Sequence, residues 1–390
     1  MPQALQGCKI LDLSMNLPGP FLTWLLACLG AQVLKLENPQ GGDYGRSVGG
    51  EIGAGPIYFN AVNRNKKSLA LNLKDQRGQE IFFRLLKSHD ILVEGFRPGV
   101  MARLGLDYET LSARQPRLIQ VSISGYGQEG PYRLRAGHDI NYLALSGVLG
   151  MTGSASAGPV IPGVQIADLA GGSLAPLAAL LAAIIQRDAS GRGQWIDSSM
   201  FDGLLSLTTM VAAGMEAGLD EPKPEGMTLN GRYPCYHVYA TKDGRHMSLG
   251  ALEPKFWQAF CEAMQRPDLL EKQFGGPETV AKISRLFASQ TQEHWIKVFK
   301  DHDACCEPVL GLDEVLGSEL VRSRGMMTSL EGKTYLACPL KLPDSPLPAE
   351  TPAPALGQHT DEVLQDLGLD TDEITRLQEQ GVVGRDTNNN

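Results

Sequence analysis

The sequence predicts an α/β protein whose first 125 or so residues form a doubly wound, largely parallel sheet. Three observations predict it. Short runs that are apolar throughout recur along this stretch, as strands buried on both faces require. Segments with apolar residues at helical spacing stand between those runs. Turn residues separate the two kinds of segment.

The elements follow in order. Cys8–Leu13 (CKILDL) reads as a buried strand, and Asn16–Pro20 (NLPGP) as a turn that opens the helix FLTWLLACLGA. Gln32–Glu37 (QVLKLE) is the second strand, which completes a βαβ unit. Leu69–Leu73 is a third strand, Asp75–Ser88 a helix, Ile91–Glu94 a fourth strand and Leu118–Ser122 a fifth. A loop rich in Gly and Pro, GYGQEGPYRLRAGH, comes next. Ala167–Gln186 is a long apolar helix that opens on small residues, and Gly193–Leu207 gives one more strand and helix.

From about Pro222 the pattern changes. Tyr236–Ala240 and His246–Leu249 flank T-K-D-G, a hairpin signal. Helical pieces follow, so a second, small α+β domain is expected over 222–325. The large domain then takes 1–195 and 326–390, with 196–221 as linker. Leu340–Pro354 is proline-rich and reads as an extended arm. Asp361–Leu367 is a short helix, and the tail after Gly384 is expected to be disordered.

Composition narrows the function. The net charge of -9 argues against a nucleic-acid partner. Any anion site must therefore be built locally from a few basic residues and backbone N–H groups. Seven cysteines, an odd number with no C-x-x-C pair, fit reduced thiols in a cytoplasmic protein and no metal site. The N-terminus lacks a signal pattern. The apolar stretch Leu174–Ile185 is too short for a membrane span. The first βα turn carries Pro18 and Pro20 where a G-x-G-x-x-G motif would need glycine, which argues against a nicotinamide or flavin cofactor.

Three groups carry candidate chemistry. In Gly137–Tyr142 (GHDINY) a histidine stands beside an aspartate at a helix start, where the helix dipole and a carboxylate both tune a base. The plainer alternative makes Asp139 a helix cap and His138 a surface residue. Asp168 opens the apolar helix in a first turn of Ala and Gly that would let a ligand approach its N–H groups. Alternatively, those small residues serve helix packing. Glu253 precedes a proline and is therefore extended, able to point into a cleft or simply into water.

Seven stretches in the same order resemble the class III coenzyme A transferase superfamily. They are DLSMNLPGPFLTWLLACLGAQVLKLE, NRNKKSLALNLK, VEGFRPGVMARLGL, SGYGQEGPYRLRAGHDINY, ADLAGGS, SGRGQWIDSSMFDG and APALGQHTDEVL. GHDINY, the D-x-x-G-G-S helix start and GALEP are most similar to its α-methylacyl-CoA racemase branch. The resemblance implies a Rossmann-like large domain in an interlocked homodimer. It also implies an acyl-CoA substrate, with coenzyme A as part of that substrate and no prosthetic group.

For a racemase, the resemblance makes His138 and Asp168 the two bases, one on each face of the α-carbon. Glu253, from the partner chain, would orient the imidazole. Backbone N–H groups around Asp139 or at the start of the Asp168 helix would hold the enolate oxygen. The alternative is a CoA-transferase in which Asp168 attacks the thioester and forms a mixed anhydride. For CoA contacts it points to Arg97 near the adenine and to Asp139 and Tyr142 near the thioester end. The stretch Arg64, Lys66 and Lys67 is the expected phosphate neighbour. One departure is Asn38, where that branch often has arginine.

Overall fold

The computed structural model describes residues 2–48 and 56–385. The chain packs into two compact units. The first is Met1–Ser146, Val164–Ser206 and Ser323–Asn390; the second is Gly147–Gly163 and Leu207–Arg322. This departs from the expected boundaries: residues 207–221, read as linker, lie in the second unit and 323–325 in the first. Residues 196–206, read as linker, belong to the first unit because a sheet strand and a packed helix run through them. Residues 147–163 belong to the second unit, and nothing in the sequence had marked them off.

The first unit opens with β1 (Lys9–Leu13), α1 (Pro18–Cys28), β2 (Gln32–Glu37), β3 (Lys66–Leu71), α2 (Gln76–Leu86), β4 (Ile91–Glu94), α3 (Tyr108–Arg114) and β5 (Ile119–Ser124). It continues with α4 (Asp139–Leu145), a π-helical turn over Ala167–Leu174, α5 (Ala175–Ser190), β6 (Trp195–Ser199) and α6 (Met200–Ser206). The strands pair in parallel in the order β3-β2-β1-β4-β5-β6, and Val383–Gly384 adds an antiparallel edge beside β3. Chain direction through the sheet reverses between β1 and β4. In doubly wound folds such a reversal opens a crevice at the carboxyl ends of the strands, where ligands bind.

Local chemistry explains the helix starts. Pro18 occupies the first position of α1, where no N–H is needed. Asp75 and Asp107 cap α2 and α3 by accepting from Arg77 N and Thr110 N, each at 2.9 Å. One face of the sheet buries Leu11, Leu34, Leu36 and Leu69 against Phe82 and Leu85 of α2 and against Val363, Leu364, Ile374 and Leu377 near the C-terminus.

Buried charge also ties β1, β2 and β3 together. Lys66 Nζ meets Asp12 at 3.1 Å, Thr23 Oγ1 and Asn63 Oδ1 at 2.7 Å, and Pro20 O at 3.0 Å. Lys35 Nζ meets Asp43 at 2.9 Å and donates to Ser14 O at 2.7 Å. Burial alone would raise the Asp12 carboxyl. The charges of Lys35 and Lys66 prevail and hold it far below the usual carboxylate range.

The run Leu174–Ile185 lies inside one 24-residue helix, Ala167–Ser190, which by length and composition alone could cross a membrane. Here one face of it packs on β5 and β6, while Leu174 and Ile185 on it are exposed.

The second unit holds β7 (Tyr236–Ala240), β8 (His246–Gly250), α7 (Pro254–Ala263), α8 (Pro277–Phe287), α9 (Gln292–Phe299) and β9 (Cys306–Pro308). The three strands form an antiparallel sheet in the order β9-β8-β7. Its core is aromatic: Phe260 stacks on Phe299 at 5.9 Å and Tyr239 on Phe287 at 5.0 Å. The chain then returns to the first unit with α10 (Thr360–Asp366) and α11 (Thr371–Glu379). The tail beyond Arg385 lies outside the described residues.

Candidate active site

The site residues of the first unit gather where the loop after β5 meets α4 and the π-helical turn. Tyr142 fixes that corner. It is 4% exposed, and its hydroxyl donates to Gly137 O at 2.8 Å. A Cβ on Gly125 or Gly137 would stand 2.6 Å or 2.8 Å from the Tyr142 ring system, so both positions must be glycine. The ring also meets Tyr126 edge to face, with centroids 5.1 Å apart. Tyr142, expected near the thioester end, has its hydroxyl bonded to the loop that carries His138.

His138 caps α4 in extended conformation and is exposed. Asn141 reaches back to it, accepting from His138 N at 3.0 Å. Asp139 turns its carboxylate toward the π-helical turn, where Oδ1 accepts from Ala167 N at 2.7 Å and Asp168 N at 3.1 Å. Those amides, considered as an enolate-binding pair from the sequence, are therefore occupied by Asp139. The N–H of Asp139 itself, in the first turn of α4, has no intrahelical acceptor.

Asp168 is half-buried in the first turn of the π-helical segment. Among the described residues no side chain hydrogen-bonds its carboxylate. Burial, reinforced by the nearby charge of Asp139, pushes it up to about 7. Such a group both holds and releases a proton near neutrality.

The small residues after Asp168 serve packing. A Cβ at Gly171 would lie 2.3 Å from Met200 O, and one at Gly172 2.7 Å from Pro18 Cβ. Ser173 Oγ donates to Pro18 O at 2.7 Å and to Asp168 O at 3.0 Å, tying α1 to the turn. The close ligand approach read from Ala-Gly-Gly is instead a close approach of α1 and α6. Wide turns of this kind recur at functional sites because they redirect one side chain without ending the helix.

A cavity of about 200 Å³ opens at the carboxyl ends of β1 to β4, on the crevice side. Its lining includes Ser14, Leu36, Asn38, Asn72, Lys74 and Phe96. Lys74 is exposed there and was not singled out from the sequence, although its place just past a strand's carboxyl end was readable. Arg97, next to Phe96, is exposed, and its charge acts on Tyr142, whose hydroxyl burial raises to about 12.

The three residues expected near the phosphates stand in different settings. Arg64 is buried, bonded to Glu350 and Leu336 O at 2.6 Å each, and its guanidinium lies over Trp24 and Tyr335. Lys66 belongs to the buried network described above. Lys67 is half exposed and pairs with Glu362. Lys66 and Lys67 stand at the amino end of β3, whereas the cavity lies at its carboxyl end. Arg64 and Lys66 are engaged within the fold, whereas Lys67 lines a separate depression of about 660 Å³.

Glu253, in the second unit, is exposed and extended at the cap of α7, and its carbonyl accepts from Phe256 N at 3.0 Å. A depression of about 730 Å³ around Leu270–Thr279 in that unit holds none of the candidate residues. No cluster of three metal-ligating side chains occurs among the described residues.

Comparison with known proteins adds the context. A family model, CoA-transferase family III, matches residues 5–360. Alpha-methylacyl-CoA racemase of Homo sapiens is 36% identical, covering 97% of both chains. Succinyl-CoA:glutarate CoA-transferase of Mus musculus is 34% identical over 97% of this chain and 90% of that one. Among solved structures, a CAIB/BAIF family protein from Brucella suis superposes with a TM-score of 0.81 at 28% identity, covering 94% of this chain and all of that one.

Proposed function

This chain belongs to CoA-transferase family III, and from that premise we propose that it is an acyl-CoA racemase. It inverts the α-carbon of 2-methyl-branched acyl-CoA thioesters by moving one proton off and another on. The observation that carries this reading is Asp168, a carboxyl with no side-chain hydrogen bond among the described residues, raised by burial to about 7 beside the helix start that presents His138.

Inversion needs a base on one face of the carbon and an acid on the other, exchanging roles with direction. A group half-protonated at neutral pH serves either role. In one direction Asp168 takes the α-proton, the electrons move onto the thioester oxygen as an enolate, and protonated His138 delivers a proton to the opposite face. In the other direction the two exchange tasks. The N–H of Asp139 is the donor left for the enolate oxygen, because Asp139's own carboxylate covers the amides of Ala167 and Asp168. The CoA nucleotide would lie over the crevice cavity at the carboxyl ends of β1 to β4, with Lys74 of its lining and the exposed Arg97 nearby as cations.

The protein acts as a homodimer, with Glu253 of the partner subunit orienting the imidazole of His138. Exposed apolar side chains support a second chain: Leu174 and Ile185 in the first unit, and Leu207, Met210 and Leu219 in the second, with Ile185 and Met210 each 73% exposed. Seven free thiols fit a reducing, cytoplasmic setting.

The transferase alternative draws on the 34% identity to a CoA-transferase and on the same carboxylate, which could attack a thioester. A nucleophilic carboxylate works best fully ionised, and a value near 7 keeps half of it protonated.

The test is proton NMR of a 2-methylacyl-CoA with the enzyme in D₂O and no acid acceptor. Loss of the α-proton signal with inversion is expected. His138→Asn should keep exchange from the Asp168 face only, and Asp168→Asn from the His138 face only. CoA transfer to added acids without α-exchange, together with hydroxylamine trapping at Asp168, would overturn the reading.

A further inference from the structure

The sequence suggested Asp139 as a contact for the substrate's thioester end; the reading above leaves that contact to its backbone N–H, while its carboxylate is engaged with the neighbouring turn. Its Oδ1 receives two backbone amides, Ala167 N at 2.7 Å and Asp168 N at 3.1 Å. These N–H groups lie in the first turn of the π-helical segment, where the helix supplies no acceptor. The bonds join α4, which carries His138 at its cap, to the turn that carries Asp168. One carboxylate therefore fixes the relative placement of both candidate bases.

We propose that Asp139 is a positioning residue for Asp168: it holds the turn that presents the Asp168 carboxyl and sets its own charge close to it. This inference rests on the racemase reading for its meaning in turnover, but its physical content does not depend on that reading.

The neighbours support the assignment. The titratable or charged groups on elements packed against the turn are His138 and Tyr142 beside Asp139 at α4, Cys28 on α1, Arg187 and Asp188 on α5, Asp197 on β6 and Asp202 on α6. Of these, Asp139 is the one whose charge acts on Asp168; burial is the other and larger cause. Cys28 and Arg187 stand at the far ends of their helices. Asp202 acts on Asp197 instead. Among the described residues no cation offsets the Asp139 charge at Asp168.

Two substitutions separate charge from geometry. Asp139→Asn keeps an Oδ1 that accepts from both amides and removes the charge. Asp139→Ala removes both. A purely structural cap would leave the Asn variant unchanged. A residue acting as proposed would move the protonation of Asp168, with the fold and the thermal midpoint kept.

The experiment follows Asp168 directly, by NMR titration of protein carrying ¹³C-carboxyl aspartate, with its signal assigned through Asp168→Asn. The pH profile of kcat/KM for α-proton exchange is measured alongside. In Asp139→Asn the Asp168 midpoint should fall by on the order of one pH unit, and the rate profile should move to lower pH with it. In Asp139→Ala kcat should fall at least tenfold further, with KM changed less than kcat. An unmoved midpoint in folded Asp139→Asn would overturn the electrostatic part. Equal kcat in the Asn and Ala variants would overturn the positioning part. Wild-type protein that shows no α-exchange sinks the racemase reading, and the NMR titration still decides the proposal.

Discussion

Neighbouring residues of like type can be given opposite tasks by the direction in which the backbone points them. Lys66 and Lys67 read as one basic pair in the sequence. On β3 successive side chains face opposite ways, so Lys66 enters the Asp12 network and Lys67 meets solvent and Glu362. Asp168 shows the reverse relation, since its candidacy was readable and its environment was not. It followed from motif order, whereas its raised proton affinity depends on burial and on Asp139, which is far from it in sequence.

That environment has a price in stability. The folded state keeps the Asp168 proton up to about pH 7, and the unfolded chain releases it near 3.8. Below 3.8 both states are protonated and there is no penalty. Between 3.8 and about 7 folding takes up a proton, so the penalty grows as pH rises, and above 7 it is complete. Asp168→Asn should therefore stabilise the protein at pH 8 by roughly 1–4 kcal/mol and leave it unchanged near pH 3.5. Urea unfolding at the two pH values checks this. Equal gains at both would show that packing, and not ionisation, is responsible.

Elements were legible where their chemistry is local. The parallel strands could be read because strands buried on both faces are apolar throughout. The hairpin between β7 and β8 announced itself through T-K-D-G, and Gly244 there adopts φ +76°. α11 was overlooked although its start carries a capping pattern, Asp370 accepting from Glu373 N at 2.8 Å. Its few apolar residues gave little periodicity. The antiparallel edge at Val383–Gly384 had no local signature, because pairing with β3 is decided by the whole fold. The π-helical turn was read as ordinary helix, since a widened turn has no composition of its own. Gly171 and Gly172 in that turn pack close against Met200, Gly203 and Pro18.

A testable consequence follows for Gly171. Its added Cβ would meet backbone, Met200 O at 2.3 Å, which cannot swing aside as a side chain could. Gly171→Ala should cost about 1–3 kcal/mol and lower turnover, because the turn carrying Asp168 must shift. Gly150→Ala, where a Cβ meets nothing within 4 Å, is the control and should leave stability nearly unchanged. Thermal unfolding of the two variants decides the matter, and equal melting temperatures would show that the turn yields without strain.

At the scale of the molecule, the sequence revealed two units but placed their borders by composition. Borders in fact follow pairing and packing. β6 and α6 cross the expected linker because β6 completes the sheet beside β5. The proposed dimer belongs to this scale too. If Glu253 of the partner subunit serves His138 and Asp168, the two functions can be broken in separate chains and restored by mixing. His138→Asn and Glu253→Ala should each be nearly inactive alone. Coexpressed in equal amounts, half of the dimers would be mixed. Each mixed dimer would hold one site in which His138, Asp168 and Glu253 are all intact, so about a quarter of wild-type activity is expected. If His138, Asp168 and Glu253 of one chain served the same site, every site in the mixed dimer would lack one residue, and coexpression would restore nothing. Racemisation assays on the purified mixed dimer, isolated with two different affinity tags, separate these outcomes, with about half of wild-type activity expected of that fraction.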